Sequence, residues 1–382
     1  MQNSVKLSLA LLREALTGEA VDIGTPTNEM LAECFILLKN HDLAHFGAAV
    51  LRAHGIALPE KLKKRFEGEG TLAVYRYTRL WQAYGKITAC FEEAGIDYLP
   101  LKGAYLREAY PRPEMRTSCD IDILVKESSL FEATSLLVTE LGFKKSSETF
   151  HDVSLTMGEG IHLELHYNVS ENDERIDPTL LTVWENASPV DGTHRHRMTN
   201  AFFAYHVIAH MYSHFSRGGC GIRTLMDLWV LRHRTDFDEE GTRALCEKSR
   251  LLAFYEAAVQ LSETWFSGVE HNEISELMED FVLQGGVYGT RKNRVRAGAG
   301  KKKTGLKYIF SRVFLPRKYL VLSYPVLKEK PILLPICHVK RWIRIIFRGR
   351  GGIAAGELYR AATLPKETKE TAEVLFHRLG ID

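Results

Sequence analysis

The chain has 382 residues, of which 45% are hydrophobic and 10% aromatic. At about 150 residues per domain, this length allows two or three domains with real cores. The composition excludes disordered, collagen-like and disulfide-stapled proteins. Six scattered cysteines with no Cys-x-x-Cys pair are typical of reduced thiols in a cytosol, and they argue against secretion and against a cysteine zinc site.

No stretch approaches the roughly 18 uncharged apolar residues that a membrane-spanning helix needs. The apolar run Leu7 to Leu12 is followed at once by Arg13, and this pattern predicts a short amphipathic helix rather than a signal peptide. We therefore expect a cytoplasmic protein with no transmembrane segment.

The net charge of +2 hides a strong asymmetry. Residues 291–350 contain 18 Lys or Arg and a single acid, Glu329, so this basic segment carries +17 and the remainder −15. Such a block indicates contact with phosphate, in nucleic acid, anionic lipid headgroups or a polyanionic substrate. The alternative is a solvated basic face that balances an acidic body.

The amino-terminal part has helical periodicity. From Lys6 to about Leu72 it predicts three or so packed helices, broken at residues 24–26 and 55–59. A longer helix is expected to follow and to end at Gly95, where a left-handed cap is easy. Its apolar stripe is Leu80, Tyr84, Ile87 and Phe91.

The pattern then changes to that of an α/β core of about 75 residues with the order β-α-β-α-β-β. The expected strands are 97–101, 120–125, 151–157 and 161–169, and the expected helices are 104–110 and 128–140.

After Asn172 the periodicity is helical again. The clearest helices are 199–215, 224–232 and 253–265, and the Gly-, Arg- and Lys-rich residues 285–305 are expected to form a mobile basic loop. We predict three parts: an amino-terminal helical segment (1–75), an α/β core (76–170), and a helical carboxyl-terminal domain with the basic segment (171–382).

An acidic pair lies on the second predicted strand. Asp120 and Asp122 are two residues apart, so they point to one face with Cα atoms about 6.6 Å apart. Glu164 lies in the middle of the polar face of the last predicted strand. Carboxylates placed in this way can share divalent cations such as Mg²⁺ together with substrate phosphates. The alternative is an exposed, merely polar sheet face.

Lys102 and Gly103 lie at a predicted strand-to-helix turn. Backbone N–H groups and the helix dipole favour phosphate at such a turn, whereas the alternative for Lys102 is a solvated surface lysine.

These motifs resemble those of a known family. Leu101-Lys-Gly, Tyr110-Pro and Arg116-x-x-x-Asp-Ile-Asp-Ile-Leu-Val are similar to the signature of bacterial nucleotidyltransferase-like proteins of the DNA polymerase β-type superfamily. Glu164-Leu-His166 resembles the strand that carries the third carboxylate in that family. His206 to His214 and the segment around Arg223 and Asp227 are similar to its helical region.

The resemblance implies an α+β fold with a polymerase β-like core and a mixed sheet, flanked by helices. It implies that Asp120, Asp122 and Glu164 hold Mg²⁺ or Mn²⁺. It also implies that a nucleoside triphosphate such as ATP binds near Lys102 and Gly103, and we assign Arg116 of the same motif to nucleotide binding. The implied reaction is attack by an acceptor hydroxyl on the α-phosphate, with release of pyrophosphate. Small molecules, RNA and protein hydroxyls all fit as acceptors.

The sequence departs from the family pattern at three positions. Lys102-Gly103 replaces the usual Gly-Ser or Gly-Gly pair, Cys119 stands where a small residue is common, and Glu164 replaces the commoner Asp. A second class of function therefore stays open, a catalytically weak nucleotide- or RNA-binding protein that keeps the fold.

Three histidines, His206, His210 and His214, share one helix face, which is compatible with zinc, with helix packing or with the lining of an acceptor cleft. Arg223 and Asp227 are spaced as a stabilising i,i+4 pair. The predicted contacts to acceptor or phosphate are His166, His210, Arg223, Lys340 and Arg344.

The segment His338 to Arg348 is predicted to be a basic amphipathic helix, typical of binding to an anionic membrane surface or to a nucleic acid backbone. The alternative is a helix that packs its apolar face on its own domain. Its basic side is Lys340, Arg341, Arg344 and Arg348, opposite Val339, Ile343, Ile346 and Phe347, with Trp342 at the border.

Overall fold

The computed structural model describes residues 3–158, 160–287, 289–301, 310, 313–347 and 351–381. The chain divides into two compact units. The first comprises Met1–Ser213 and Gly221–Glu276, and the second comprises His214–Cys220 and Leu277–Asp382.

The first unit begins with helices, as predicted. Their bounds are α1 (Asn3–Thr17), α2 (Asn28–Asn40), α3 (Gly47–Ala53) and α4 (Glu60–Ala94). The prediction of separate helices before and after residue 72 is wrong, because α4 is continuous: Phe66 and Ala73 extend its buried stripe to Leu80, and no proline interrupts it. The left-handed cap at Gly95 is confirmed, with a φ of 69°.

A five-stranded mixed sheet follows in the order β1-β2-β5-β4-β3. Its strands are β1 (Tyr98–Pro100), β2 (Ile121–Val125), β3 (Lys144–Glu148), β4 (Asp152–Met157) and β5 (Ile161–His166). β2 and β5 are parallel, and the other neighbouring pairs are antiparallel. The four predicted strands are confirmed, with their ends shortened.

The two faces of this sheet differ in chemistry because successive side chains on a strand point to opposite faces. One face is apolar and buries Ile123 and Leu165 in a core with Ile87 of α4 and Leu137 of α6 (Leu130–Thr139). The opposite face presents the polar residues of β2, β4 and β5. Helices α4 and α6 cover the first face, and the candidate site lies on the second.

The sequence pattern does not predict strand β3 or the short β6–β7 hairpin. Strand β3, Lys-Lys-Ser-Ser-Glu, is exposed at every position, so it has no apolar alternation to reveal it. The hairpin of β6 (Ala187–Pro189) and β7 (His196–Met198) is too short to show a period.

Further helices complete the first unit, and two of them extend into the second. They are α5 (Gly103–Leu106), α7 (Asp177–Leu180), α8 (Asn200–Arg217), α9 (Ile222–Arg234), α10 (Glu239–Lys248), α11 (Leu252–Phe266) and α12 (Glu273–Leu283). The helices predicted at 199–215, 224–232 and 253–265 are confirmed as α8, α9 and α11.

The second unit is helical. Its helices are α13 (Arg291–Gly300), α14 (Arg317–Ser323), α15 (Leu334–Phe347), α16 (Gly351–Ala362) and α17 (Lys366–Arg378). The predicted mobile loop is wrong over 291–300. Thr290 accepts a hydrogen bond from the Asn293 N–H and caps α13. Gly300 lies so close to Phe376 of α17 that a Cβ would be 2.5 Å from its ring. Residue 288 and residues 302–305 of the predicted loop lie outside the described part of the chain.

The predicted basic helix is confirmed as α15, but its basic side is not as predicted. Arg341 turns inward, where its Nη1 donates to the Val313 carbonyl at 3.1 Å, and Trp342 Nε1 donates to the same oxygen at 3.0 Å. Arg348 lies outside the described residues.

The predicted boundaries after residues 75 and 170 fall inside α4 and inside the first unit, and the three-part division stays a prediction. Among the described residues, no helix combines the length and the apolar character that crossing a membrane requires.

Candidate active site

The register of two parallel strands brings the predicted carboxylates together. Asp122 on β2 pairs with Glu164 on β5, and Leu124 pairs with His166. Because side chains alternate along a strand, Asp122, Glu164 and His166 all lie on the polar face. Asp120 precedes β2 by one residue.

These side chains form two groups whose potential ligand atoms all lie within 4.8 Å of one another. One is Asp120, His162 and Glu164, and the other is Asp122, Glu164 and His166, so Glu164 belongs to both. Carboxylate oxygens are the ligands that Mg²⁺ and Mn²⁺ prefer, and imidazoles beside them can orient the carboxylates. The donor set therefore fits a hard divalent cation.

Lys102 is not a solvated lysine. Its Nζ lies 3.3 Å from Asp122 Oδ1, and the imidazole Nε2 of His166 lies 3.1 Å from the same oxygen. The backbone of Lys102 has a φ of 39°, a region that side-chain-bearing residues rarely adopt. Such strain persists only where the surroundings impose it, and it is frequent at functional sites.

The neighbouring charges shift the pKa values of Asp120 and Asp122 in opposite directions. Burial and the charge of Asp122 raise the pKa of Asp120 to about 6. Burial alone would raise the pKa of Asp122 as well, but Lys102 and the hydrogen bond from His166 outweigh it and hold that pKa well below its usual range. Burial opposes the charged form of His166, yet its bonds to Asp122 and Glu164 raise its pKa. The site is therefore a compact charge network in which Lys102 and His166 compensate Asp122 more fully than Asp120 is compensated.

Gly103 follows Lys102 and has a packing reason to be glycine. A Cβ there would lie 2.6 Å from Nη1 of Arg116. The Gly103 carbonyl also accepts a hydrogen bond from Arg107 Nε at 2.7 Å. Two buried guanidinium groups thus fix the turn that carries Lys102.

Arg116 itself has a structural partner. Its Nε and Nη2 donate to the two carboxylate oxygens of Asp227, at 3.1 Å and 2.9 Å, and Tyr110 Oη donates to the same carboxylate at 2.6 Å. The predicted pair of Arg223 with Asp227 is wrong, because Arg223 Nη1 instead donates to the Thr117 carbonyl at 2.9 Å. The assignment of Arg116 to nucleotide binding stays a prediction.

Helix α8 contributes a second polar cluster. The Glu171 carboxylate lies 2.7 Å from His210 Nδ1 and accepts a hydrogen bond from Ser213 Oγ at 2.6 Å. Burial works against the charge of Glu171, but His210, Ser213 and Lys102 outweigh it and lower the pKa. The predicted contact of His210 with an acceptor stays a prediction.

His206 is buried, and in the described part of the chain neither of its ring nitrogens has a hydrogen-bond partner. Burial, followed by the charge of Lys102, lowers its pKa to about 3. The two possible metal-ligating groups found among the described residues do not include the α8 histidines that were considered for zinc.

Sequence reasoning missed Glu171 and its link to His210. The signal that could have found it is an acid just beyond the polar face of β5, but the partner is 39 residues away and only the fold joins them. Lys340 and Arg344 belong to the second unit.

Comparison with known proteins supports the resemblance of the motifs. The model of a family described as uncharacterised nucleotidyltransferase matches residues 31–267, which is more than half of the chain and includes the whole sheet. Searches of curated proteins and of solved structures each found no significant match. The chain is therefore a member of this nucleotidyltransferase family.

Proposed function

We propose that the protein is a Mg²⁺-dependent enzyme that transfers a nucleoside monophosphate from a nucleoside triphosphate to an acceptor hydroxyl. The observation that carries this proposal is the pairing of Asp122 with Glu164 on adjacent parallel strands, with Asp120 beside them. Under this proposal the five-stranded sheet is the polymerase β-like core of the superfamily.

The three carboxylates would hold the cation on the polar face of the sheet. A bound divalent cation, Mg²⁺ or Mn²⁺, supplies charge stabilisation to the attacking and leaving oxygens. Strand register sets Asp122 and Glu164 side by side on the polar face. His166, bonded to Asp122 and facing Glu164 at 3.6 Å, would orient both carboxylates.

In the proposed reaction, the acceptor oxygen forms a bond to the α-phosphorus. The bond from that phosphorus to the oxygen bridging to the β-phosphate breaks, pyrophosphate leaves, and the acceptor proton is released to water. Positioning and electrostatic stabilisation account for most of the catalysis in phosphoryl-type transfers.

Lys102 would bind the triphosphate. Its ammonium is held at the carboxylate cluster by Asp122, where it would supply positive charge to a bound triphosphate. Gly103 would contribute by letting the turn pack against Arg116. Contacts of the acceptor with His210 and Arg223 belong to the same proposal, whereas the phosphate contacts of Lys340 and Arg344 stay a prediction from the sequence.

A second function is supported by one specific contact. Lys102 compensates part of the charge of Asp122, so this carboxylate has less need of a divalent cation, as expected for a nucleotide- or RNA-binding protein that keeps the fold but has weak catalytic activity.

The experiment compares wild type with Asp122→Asn and with a matched control, Asp97→Asn. Asp97 precedes β1 and pairs with Lys126 at 2.7 Å, so it is a salt-bridged carboxylate of the same sheet outside the site. Each protein is incubated with α-labelled triphosphates, Mg²⁺ or Mn²⁺, and acceptors that include sugars, transfer RNA and the protein itself. Label transfer and pyrophosphate release are measured.

We expect transfer by wild type and by D97N, and loss of transfer by D122N. Transfer by D122N within a few-fold of wild type would remove Asp122 from the site. Nucleotide binding by wild type without transfer to any acceptor would favour the binding-protein function.

A further inference from the structure

We propose that helix α15 of the second unit binds the surface of a membrane that contains anionic phospholipids. The proposal does not rest on nucleotidyl transfer, because it uses only residues of the basic segment. Helix α15 has an inward face that packs on the second unit and an outward face that is exposed.

The inward face of α15 accounts for its packing. Cys337 is buried with Leu320 and Leu327 in a small core of the second unit. Trp342 packs edge-on against Phe314, with ring centroids 5.4 Å apart, and donates to the Val313 carbonyl. Together with Leu334, which packs against the same small core, these contacts anchor the helix through its inward face.

The outward face is apolar and exposed. Along α15 its large side chains recur at helical spacing, and they begin one turn earlier at Ile332, which is 86% exposed. Phe347 is 84% exposed, whereas Ile343 and Val339 are about half exposed. The stripe consists of Ile332, Ile336, Val339, Ile343 and Phe347. This observation contradicts the alternative that α15 packs that apolar stripe on its own domain.

Basic residues border this stripe. Lys340 and Arg344 are exposed beside the stripe, with the Arg344 guanidinium 5.3 Å from the centre of the Tyr324 ring, and Lys328 and Lys330 are exposed just before the helix. The surrounding segment, residues 291–350, carries +17. An exposed apolar stripe flanked by lysine and arginine is the pattern of a helix that lies in the membrane interface and is attracted by anionic headgroups.

The charge complementarity selects the membrane among possible occupants. A nucleic acid backbone would use Lys340 and Arg344 through counterion release but would leave isoleucine and phenylalanine in water. A second copy of the chain would bring the same positive charges together, and like charges across an interface are costly. An anionic bilayer satisfies both the charges and the apolar stripe.

The test is cosedimentation of the full-length protein with vesicles of pure phosphatidylcholine and with vesicles that contain one third phosphatidylglycerol. The apolar variant is Ile343→Ser with Phe347→Ser. Its matched control is Val74→Ser with Phe131→Ser, because those residues are 50% and 87% exposed in the first unit. The charge variant is Lys340→Glu with Arg344→Glu.

We expect wild type and the control to bind the anionic vesicles at least tenfold more tightly than the neutral ones. Each α15 variant should lose at least tenfold of that affinity, and higher salt should weaken wild-type binding. Thermal unfolding followed by circular dichroism should show both α15 variants folded, with at most a small loss of stability, because Ile343 is about half exposed and Arg344 contacts the Tyr324 ring.

Three results would overturn the proposal. The first is an absence of wild-type binding to anionic vesicles, or an affinity for them equal to that for neutral vesicles. The second is RNA binding that the charge variant loses while vesicle binding persists. The third is a wild-type dimer in analytical ultracentrifugation that becomes a monomer in I343S/F347S, which would assign the stripe to a second copy.

Discussion

The Lys102 ammonium lies 3.3 Å from Asp122 Oδ1, on the carboxylate that strand register sets beside Glu164. A lysine thus occupies the electrostatic role that a divalent cation would take at the same oxygen. The carboxylate must exchange this partner, in whole or in part, when a cation binds. The two aspartates and the lysine are therefore expected to respond very differently to substitution.

Removal of Lys102 should strengthen cation binding and weaken triphosphate binding. In Lys102→Met, the carboxylates repel one another without compensation, so the Kd for Mn²⁺ alone should fall several-fold, whereas the Kd for triphosphate should rise. Isothermal titration measures both. The matched control is Lys126→Met, which breaks a lysine–carboxylate pair outside the site. Weaker Mn²⁺ binding by K102M would show that Lys102 does not compete with the cation.

Asp120→Asn and Asp122→Asn should differ in stability. Asp122 accepts from Lys102 and His166, and an amide at this position keeps an oxygen acceptor but loses the negative charge that compensates the Lys102 ammonium, so Asp122→Asn should cost about 1–3 kcal/mol of unfolding free energy. Asp120 is repelled by Asp122, and its replacement should be neutral or stabilising at pH 7. Urea denaturation checks both. Equal destabilisation by the two substitutions would contradict the charge network described for the site.

The raised pKa of Asp120 also predicts how its contribution to the stability of the fold changes with pH. The folded carboxyl titrates near pH 6, above its value in the unfolded chain, so the folded state binds more protons between about pH 4 and 6. Its contribution to stability is therefore lost as the pH rises through this window. Asp120→Asn should remove this loss, and parallel denaturation curves at pH 4.5 and 7 for both proteins would measure it.

His206 should weaken the fold in acid. Its folded pKa of about 3 lies below that of an exposed histidine, so as the pH falls from 6.5 the unfolded state takes up a proton that the folded state refuses. Between pH 7.5 and 5, His206→Leu should lose about 2 kcal/mol less unfolding free energy than wild type. Identical losses in the two proteins would show that His206 can be protonated in the folded state.

The pair of Arg116 with Asp227 should be structural. Arg116→Met leaves a buried carboxylate without its guanidinium and should cost about 3–5 kcal/mol. In the double variant with Asp227→Leu, no unpaired charge remains, so most of that loss should be recovered. A soluble, stable R116M with impaired triphosphate binding would instead support the predicted nucleotide contact.

The strands that carry the carboxylates could be predicted from the sequence. Asp120 and Asp122 fall in a predicted strand, 120–125, whose alternation is visible in six residues, and Glu164 falls in another. The long-range part was not visible, because Arg116 and Asp227 are 111 residues apart and their joining depends on the packing of whole elements. The spacing of Arg223 and Asp227 suggested a pair, but a nearer carbonyl, that of Thr117, takes the Arg223 guanidinium.

Two elements and the buried face of one helix could not be predicted, because the residue pattern alone does not show which side chains the fold buries. Strand β3 is polar at every position, and α13 has no apolar stripe on the helical wheel, so neither follows the amphipathic rule that identifies most elements. In α15 the periodicity predicted the helix correctly. Which face it buries depended on Phe314 and Val313, contacts that a helical wheel does not contain.

Single-turnover transfer by wild type and Glu164→Gln, with nucleotide affinity measured in parallel, tests whether the carboxylate cluster catalyses nucleotidyl transfer. Glu164 belongs to both possible ligand groups, so its loss should leave Mg²⁺-dependent nucleotide binding within a few-fold of wild type and slow the chemical step by at least about 100-fold. Equal transfer rates in wild type and E164Q would show that Glu164 takes no part in the chemical step and would contradict the proposed carboxylate site.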